Sequence, residues 1–351
     1  MFSKNLRYFR LKKRLSLQEL ADQAGCTRMA ISNYESGNRK PDMAMVKKLA
    51  DILGVRVIDF IQTHGESLSF QHGEFRKTTS LKKNDIELIQ ADTEDYFGRL
   101  YTLVDVLGEG VLPEKPVFNS LFPDEDAEKN GLRLRRYLKI DKTGPVGNLI
   151  QILENKGFLL CGLDVENSSF SGLNGTVEGR PYIVFNTNMN AERIRFTVAH
   201  ELAHLMFKWP DTLETSEEEK KVNEIAGAFL FPQSDAIREL GPKRKGIFSR
   251  DIIMICQEYG ISTYALVKRA RQAEIISEKL EKDFYIRAAK HGWKKNEPSR
   301  IEKETPTILP SLVYRAVCES EISAQKGAEL LKMSTQEFMN EYLPFGEVLY
   351  E

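Results

Sequence analysis

The chain has 351 residues, enough for two or three domains, and its 50 basic and 51 acidic side chains give a formal net charge of −1. This balance creates no overall field that would favour nucleic acid. No apolar run reaches the roughly 18 residues that a membrane-spanning helix needs, and the N-terminus has no apolar segment of a signal peptide. The four cysteines, far apart in sequence, are expected to be reduced thiols. We therefore expect a cytoplasmic protein with no membrane partner.

The first 65 residues depart from this balance, with 12 Lys and Arg against 6 Asp and Glu. A basic helix stops near Arg14, Ser16 is a suitable N-cap for a helix over residues 17–24, and Gly25 supplies a turn before a third helix that starts at Thr27. Two helices joined by a short glycine-containing turn predict a helix-turn-helix, whose second helix enters the major groove of DNA.

Residues 15–41, LSLQELADQAGCTRMAISNYESGNRKP, resemble the Xre, or lambda-repressor-like, helix-turn-helix family. The resemblance implies a double-stranded DNA operator as partner. It implies base-facing positions at Thr27, Arg28, Met29, Ser32 and Asn33, and phosphate contacts from Arg39 and Lys40. The family commonly has Gln where Leu17 stands, so no contact is carried over to Leu17 or Gln18.

The alternative for this domain is protein binding, for example through its apolar residues Leu49, Ile52, Leu53, Val57, Phe60 and Ile61. These residues are expected to form the core and a dimer surface, and we expect a homodimer.

Residues 66–123 are expected to be a helical connector. A helical pattern covers residues 85–107, and Gly and Pro interrupt residues 108–123. His64 and His72 lie in polar surroundings and are expected at the surface. The sequence leaves open whether the connector is a spacer or supplies dimer contacts.

Residues 195–207 predict a largely buried helix without Gly or Pro. His200 and His204 lie four residues apart on one helix face, where both imidazoles can reach one metal ion, and Glu201 lies beside that ion. A carboxylate in this place can take a proton from an attacking water molecule. The pattern His-Glu-x-x-His therefore indicates a metallopeptidase, and the alternative is an ordinary helix that happens to carry these residues.

A catalytic site of this kind needs a third protein ligand and one open position. The candidates are Glu214, Glu217, Glu218 and Glu219. Helical phase leaves Glu218 and Glu219 equal, but Asn223 follows Glu219 by one turn and could orient a ligating histidine, which favours Glu219. The alternative is an acidic first turn that interacts with the helix dipole, which we accept for Glu217.

Residues 193–204 and 219–232 resemble the ImmA/IrrE family of metallopeptidases, and residues 148–157 and 179–186 fit it too. The arrangement is also similar to gluzincins of the thermolysin type. The resemblance implies that Glu219 is the third ligand. Ala203 stands where the family often has Gly, which leaves the chemistry intact. The resemblance therefore implies a protein that cleaves or antagonises helix-turn-helix repressors, often in stress responses or mobile elements.

The predicted fold class is mainly α with an α+β part. The strand predictions are residues 158–163 and 180–186, with a turn-rich stretch at 168–175 between them. The predicted domains are an all-α helix-turn-helix domain at 1–65, the connector at 66–123, a zincin-like metallopeptidase domain with a small sheet at 124–290, and a helical region at 291–351. Residues 322–334 could form a second helix-turn-helix, but a helical cap is preferred because no basic cluster accompanies them.

Together these patterns predict a transcription regulator that carries a metal-dependent endopeptidase. It would cleave a partner repressor, another protein or itself, with Glu201 as general base. The expected ion is Zn²⁺, and the residues do not exclude Mn²⁺. A substrate is expected to lie along the edge of the strand over residues 182–185. The alternative is a regulator or antitoxin whose peptidase-like domain senses a ligand or metal without proteolysis. A purely structural metal site is disfavoured, because three ligands leave an open position.

Overall fold

The computed structural model describes residues 2–61, 68–73, 81–210, 212–247, 249–294 and 296–342. This part of the chain is mainly helical with one small sheet, which confirms the predicted fold class. His64 and the predicted boundary between residues 65 and 66 lie outside the described residues. No helix in the described ranges is both long and apolar enough to cross a membrane.

The chain divides by its internal contacts into two units. Unit 1 comprises Met1–Leu68 and Thr79–Asp105, and unit 2 comprises Ser69–Thr78 and Val106–Glu351. The helix of residues 83–107, which the sequence assigns to a connector, thus falls almost wholly in unit 1. The four predicted domain ranges stay a prediction.

Unit 1 is built from helices whose ends are specified locally. They are α1 (Phe2–Lys12), α2 (Leu17–Ala24), α3 (Arg28–Glu35), α4 (Met43–Leu53) and most of α5 (Lys83–Leu107). Ser16 and Glu19 form a capping box at the start of α2, and Gly25 ends it with a φ of 66°. Thr27 caps α3 by accepting a hydrogen bond from the backbone of Ala30. The predicted helix-turn-helix is therefore present.

A small apolar core joins α1 to α4. Its buried members are Leu6, Leu20, Ala21, Ala24, Ile31, Tyr34, Leu49, Ala50, Leu53 and Phe60. Ile61, which the sequence placed in the core or a dimer surface, is 54% exposed. Arg10 on α1 donates to both carboxylate oxygens of Glu35 on α3 at 2.5 and 2.8 Å, and both side chains are only 7% exposed. This buried ion pair fixes α3 against α1.

Acidic side chains of α5 pair with α1. Lys4 contacts Glu94 at 2.5 Å, Arg7 contacts Glu87 at 2.6 Å, and the Tyr8 hydroxyl lies 2.6 Å from Asp92. These contacts offset part of the basic surplus of the first 65 residues on the α1 side.

The described part of unit 2 contains a sheet of four strands together with helices. The strands are β1 (Phe70–His72), β2 (Leu159–Leu163), β3 (Gly172–Val177) and β4 (Arg180–Asn186). The helices are α6 (Ala127–Leu138), α7 (Leu149–Asn155), α8 (Ala191–Met206), α9 (Thr215–Leu230), α10 (Gln233–Leu240), α11 (Ser249–Tyr259), α12 (Thr263–Gln272), α13 (Glu278–Lys290), α14 (Ile308–Cys318), α15 (Ala324–Leu331) and α16 (Thr335–Tyr342). Of these helices, α7 packs against β2, and α8 packs against β3 and β4.

The strand order is β1-β3-β4-β2. β4 pairs in parallel with β2 and antiparallel with β3, and β1 pairs antiparallel with β3. Because β4 has a neighbour on each side, the expectation that a substrate adds to the edge of residues 182–185 is wrong.

The turn-rich interpretation of residues 168–175 is also wrong, because β3 begins at Gly172. Its glycines, which weaken a strand pattern, are required by close packing. A Cβ on Gly172 would lie 2.6 Å from Cγ2 of Thr197, and one on Gly175 would lie 2.5 Å from both the Gln71 carbonyl and the Tyr182 hydroxyl.

Two buried arginines hold the helices that carry the candidate site. Arg195 on α8 donates to the carbonyls of Val146, Gly147 and Gly260, and burial lowers its pKa to about 10. Arg135 on α6 donates to the carbonyl of Phe229, near the end of α9, at 2.7 Å. The bonds to Gly260, just after α11, and to Phe229 satisfy carbonyls at the C-terminal ends of helices.

Candidate metal centre

The helix α8 presents its two histidines on one face. It starts at the N-cap Asn190, whose side chain accepts from the backbone of Arg193, and it runs through the core of unit 2. The rings of His200 and His204 are 4.8 Å apart, and their Nε2 atoms are 3.1 Å apart. Two ring nitrogens therefore face the same point.

The helix α9 brings Glu219 to that point. Its Oε2 lies 3.3 Å from Nε2 of His200, and its Oε1 lies 3.3 Å from Nε2 of His204. Among the described residues, His200, His204 and Glu219 form the one group whose ligand atoms all lie within 4.8 Å of one another in a way that suits a metal ion. The predicted ligand set is therefore together in space.

Two side chains contact the Nδ1 atoms of the histidines, opposite the Nε2 atoms that face Glu219. Nδ1 of His200 lies 3.1 Å from Oδ1 of Asn223, whose amide nitrogen donates to the Glu219 carbonyl at 2.7 Å. Nδ1 of His204 lies 3.1 Å from Oε1 of Glu218. An Nδ1 proton donated to each acceptor leaves the lone pair of each Nε2 for a cation. Glu218, the alternative ligand in sequence, thus lies on the far side of His204.

The electrostatics of the cluster follow from these contacts. Burial lowers the pKa of His204, but hydrogen bonds to Glu218 and Glu219 outweigh burial and raise this pKa to about 9. Hydrogen bonds from His200 and His204 hold the pKa of Glu219 well below its usual range. The carboxylate is therefore charged at neutral pH, as a metal ligand must be.

The donor set fits a small divalent ion. A tetrahedral zinc ion with bonds near 2.0–2.1 Å separates its ligand atoms by about 3.3 Å. The observed separations of 3.1, 3.3 and 3.3 Å are close to that value. Two imidazole nitrogens and one carboxylate also leave a position open for water. The arrangement suggests a metal site without identifying the ion.

Glu201 is held by a strand of the sheet. The side chain is only 8% exposed, and the Asn174 amide on β3 donates to its Oε2 at 2.7 Å. A Cβ on Gly172 would lie 3.3 Å from its other oxygen, Oε1, so glycine keeps that space free. One carboxylate oxygen is thus fixed while the other has room for a partner.

A cleft of about 980 Å³ lies beside Glu219 and Asn223. The rings of Phe196 and Tyr264 line it, together with basic side chains that include Lys220 and Lys268. It is large enough for several residues of an extended peptide.

In unit 1 the predicted DNA-facing residues lie at the surface. Thr27, Arg28, Met29, Arg39 and Lys40 are exposed, and Ser32 and Asn33 are half-buried. Arg28 and Ser32 line a cleft of about 650 Å³ together with Leu17 and Gln18 at the start of α2. Its position beside Arg28 makes Gln18 a candidate contact that the sequence interpretation did not include.

The sequence interpretation also did not predict the roles of two residues of the candidate metal centre, Asn174 and Glu218. Asn174 lies in the stretch interpreted as a turn, and nothing near it in sequence indicates Glu201. Glu218 was weighed only as a ligand. An acidic residue next to the third ligand is the one signal that could have suggested a partner for the second histidine.

Comparison with known proteins agrees with both parts of the chain. Residues 6–60 match the family described as helix-turn-helix, and residues 153–271 match the family described as IrrE N-terminal-like domain. The first match covers α2 and α3, and the second includes β3, α8 and α9.

Two relatives from Bacillus subtilis (strain 168) share part of the sequence. The uncharacterized HTH-type transcriptional regulator YqaE is 37% identical over 71 residues, which are 20% of this chain and 61% of the relative. The SPbeta prophage-derived uncharacterized HTH-type transcriptional regulator YonR is 41% identical over 61 residues, 17% of this chain and 56% of the relative. The chain thus spans little more than half the length of these curated relatives.

A crystal structure of Bacillus thuringiensis PlcR in complex with the peptide PapR7 and DNA aligns with 98% of this chain and 97% of that chain. The sequence identity is 12% and the TM-score is 0.19, which is too low to indicate a shared overall fold. The two family matches confirm the resemblances seen in the sequence: the chain carries an N-terminal helix-turn-helix domain followed by an IrrE N-terminal-like domain.

Proposed function

We propose that this protein is a DNA-binding transcription regulator that carries a metal-dependent endopeptidase. The peptidase would cleave a partner protein, such as a helix-turn-helix repressor, or its own chain in the cytoplasm. The observation that carries the proposal is the convergence of His200, His204 and Glu219, with ligand atoms within 4.8 Å, beside a buried Glu201. The match to the IrrE N-terminal-like domain supports it.

His200, His204 and Glu219 would hold the ion, expected to be Zn²⁺, with Mn²⁺ as the alternative. Such an ion supplies Lewis acidity, which lowers the pKa of a water molecule and polarises a peptide carbonyl. Asn223 and Glu218 orient the two imidazoles and keep their Nδ1 atoms protonated.

Glu201 acts as the general base. Asn174 holds its Oε2, so Oε1 is left to accept the proton of the attacking water. The same carboxyl group then gives that proton to the leaving amine as the peptide bond breaks. The cleft beside Glu219 would hold part of the substrate chain.

Unit 1 supports the DNA-binding half of the proposal. Arg28, exposed at the start of α3, would read bases in the major groove with Thr27, Met29, Ser32 and Asn33. Arg39 and Lys40 would contact phosphate. A homodimer would place two such helices on two half-sites, and Ile61 is an exposed apolar residue suited to that interface.

Metal removal tests the proposal. The purified chain is loaded with one equivalent of Zn²⁺ and incubated with each helix-turn-helix repressor encoded beside it, with and without chelator. We expect cleavage that a chelator abolishes and added Zn²⁺ restores. Cleavage that continues unchanged in the metal-free protein would overturn the mechanism.

The same experiment separates the alternative function. A chain that binds a stoichiometric ion and its operator, but cuts neither a co-encoded protein nor itself, would be a regulator that senses a metal or ligand without proteolysis. Selection of bound sequences from random duplex DNA tests the operator independently, and enrichment of no sequence would contradict DNA recognition.

A further inference from the structure

The sheet of unit 2 contains a strand from an unexpected part of the chain. β1 belongs to unit 2 although the residues before and after its segment, up to Leu68 and from Thr79, belong to unit 1. It pairs antiparallel with β3, with Phe70 opposite Val177 and His72 opposite Gly175. Residues 69–73, the described part of this segment, therefore cover the edge of β3.

This edge passes close to Glu201. The Gly73 amide donates to the Asn174 carbonyl at 2.8 Å, and a Cβ on Gly73 would lie 2.9 Å from Oδ1 of Asn174. The same Asn174 side chain donates to Glu201 at 2.7 Å. One side chain thus separates the backbone of the segment from the general base.

Extended peptides bind to the edges of sheets because strand addition needs only backbone groups. The helix of Glu201, α8, packs against β3 and β4, and β4 has strands on both sides. The outer edge of β3 is therefore the edge beside Glu201 at which a substrate backbone could pair. The other outer edge of the described sheet belongs to β2, which β4 separates from β3.

We propose that the outer edge of β3 is the substrate-binding edge and that β1 occupies it as an internal competitor, which makes the resting chain autoinhibited. This inference rests on the proposed peptidase function. Its occupant is a segment of the chain itself, and its substrate class is an extended polypeptide held by backbone hydrogen bonds.

β1 has only three residues and lies at one edge of the described sheet. Ser69 exchanges hydrogen bonds with Glu178, at 2.5 Å to its carboxylate and 2.9 Å from its amide, and Nδ1 of His72 lies 2.6 Å from the Tyr182 hydroxyl. Phe70 and His72 are half-buried and Gln71 is exposed. A short edge strand with this burial opens more easily than the core of the sheet.

The hydrogen-bond pattern between β1 and β3 identifies a substitution that removes one bond of the ladder. In an antiparallel pair, hydrogen-bonded and non-bonded positions alternate. Because Ser69 and Gly73 bond to Glu178 and Asn174, the Gln71 amide must face Thr176. Gln71→Pro removes both the glutamine side chain and the backbone N–H donor. Gln71→Ala removes the same side chain but retains the backbone N–H donor.

The test uses the full-length chain and a fluorescently labelled peptide with the sequence of residues 68–73. Binding is measured by fluorescence anisotropy on metal-free protein, so that no cleavage is needed. Loss of one ladder bond should release β1 enough to tighten peptide binding about fivefold in Gln71→Pro relative to wild type and Gln71→Ala. A second variant, Ser69→Pro, removes the backbone N–H that donates to Glu178, and Ser69→Ala is its control. Ser69→Pro should also tighten peptide binding.

Cleavage of a co-encoded helix-turn-helix repressor by the Zn²⁺-loaded variants gives the second measurement. We expect Gln71→Pro to cleave faster than wild type by a similar factor, and Glu201→Gln to abolish cleavage in the Gln71→Pro background. Equal peptide binding by all variants, or binding by none, would overturn the inference. Tighter peptide binding without cleavage by any variant would support the occupied edge and refute the peptidase.

Discussion

The two candidate sites of this chain are built in different ways. In unit 1 the proposed DNA contacts lie between Thr27 and Lys40, on α3 and the residues just after it. In unit 2 the site combines Asn174 of β3, the histidines of α8, and Glu218 to Asn223 of α9. A site on one helix depends on local capping, whereas a site from three elements depends on the packing that brings them together.

The two sites also differ in how their side chains are supported. Arg28 and Met29 are exposed, so a substitution there changes the contact itself. Each key group of the metal centre has a dedicated partner: Asn174 for Glu201, Asn223 for His200 and Glu218 for His204. Substituting a partner should therefore change function in unit 2 without removing any group that touches the ligand.

The largest expected effect is on catalysis in unit 2. Glu201→Gln should lower the rate of partner cleavage by ~10²–10⁴-fold, because the amide cannot accept the proton of the attacking water. Metal content and DNA affinity should stay at their wild-type values. The control is Glu217→Gln on the exposed face of α9. A parallel loss of DNA affinity would break the distinction between the two sites.

The next effect is on the stability of unit 1. Glu35→Ala should lower the free energy of unfolding by about 3–5 kcal/mol, because it leaves the charge of Arg10 buried without an opposite charge. Urea denaturation measures this change. The double variant Arg10→Met with Glu35→Leu should recover most of it. If Glu35→Ala is as stable as wild type, the ion pair does not hold α3 in place.

A smaller effect is expected from the partners of the histidines. Glu218→Ala should weaken zinc affinity by about 10–100-fold, because His204 loses the group that orients its ring. Competition with a chromophoric chelator measures the affinity. Glu217→Ala removes a neighbouring carboxylate of the same helix and should have no effect. Equal losses in both variants would show that only the general negative charge of α9 matters.

The last effect, similar in size, is expected from a single DNA contact. Arg28→Ala should reduce affinity for the selected operator by about 5–150-fold and relax its specificity at one base pair. Arg56→Ala serves as control, since Arg56 is paired with Asp59 and lies outside α3. Operator binding is measured at fixed salt. An equal loss in the control would indicate a purely electrostatic contribution.

The sequence predicted the local features well. The caps of α2 and α3 come from Ser16, Gly25 and Thr27 themselves, so the bounds of α2 could be predicted to the residue and the start of α3 to within one residue. The apolar run of β4 likewise gave its bounds of 180–186. These signals do not depend on the rest of the chain.

Features that depend on distant packing could not be predicted. β3 contains two glycines because Thr197, Gln71 and Tyr182 approach its backbone, and both Thr197 and Gln71 are distant from it in sequence. β1 was missed because three residues carry no periodicity, and the connection from Asn174 to Glu201 depends on which strand faces α8. The sequence favoured Glu219 over Glu218 because Asn223 lies one helical turn after Glu219, and the Glu219 carboxylate does lie close to both histidines. Metal binding by these residues stays a prediction.

The claim on which the account depends is that two imidazoles and the Glu219 carboxylate together hold one divalent ion. Metal content of the purified full-length chain, measured by mass spectrometry after dialysis, tests it most directly. We predict one ion per chain for wild type and for Glu217→Ala, and loss of that ion in Glu219→Ala. An unchanged ion content in Glu219→Ala, or no bound ion in wild type after loading with Zn²⁺, would contradict the account.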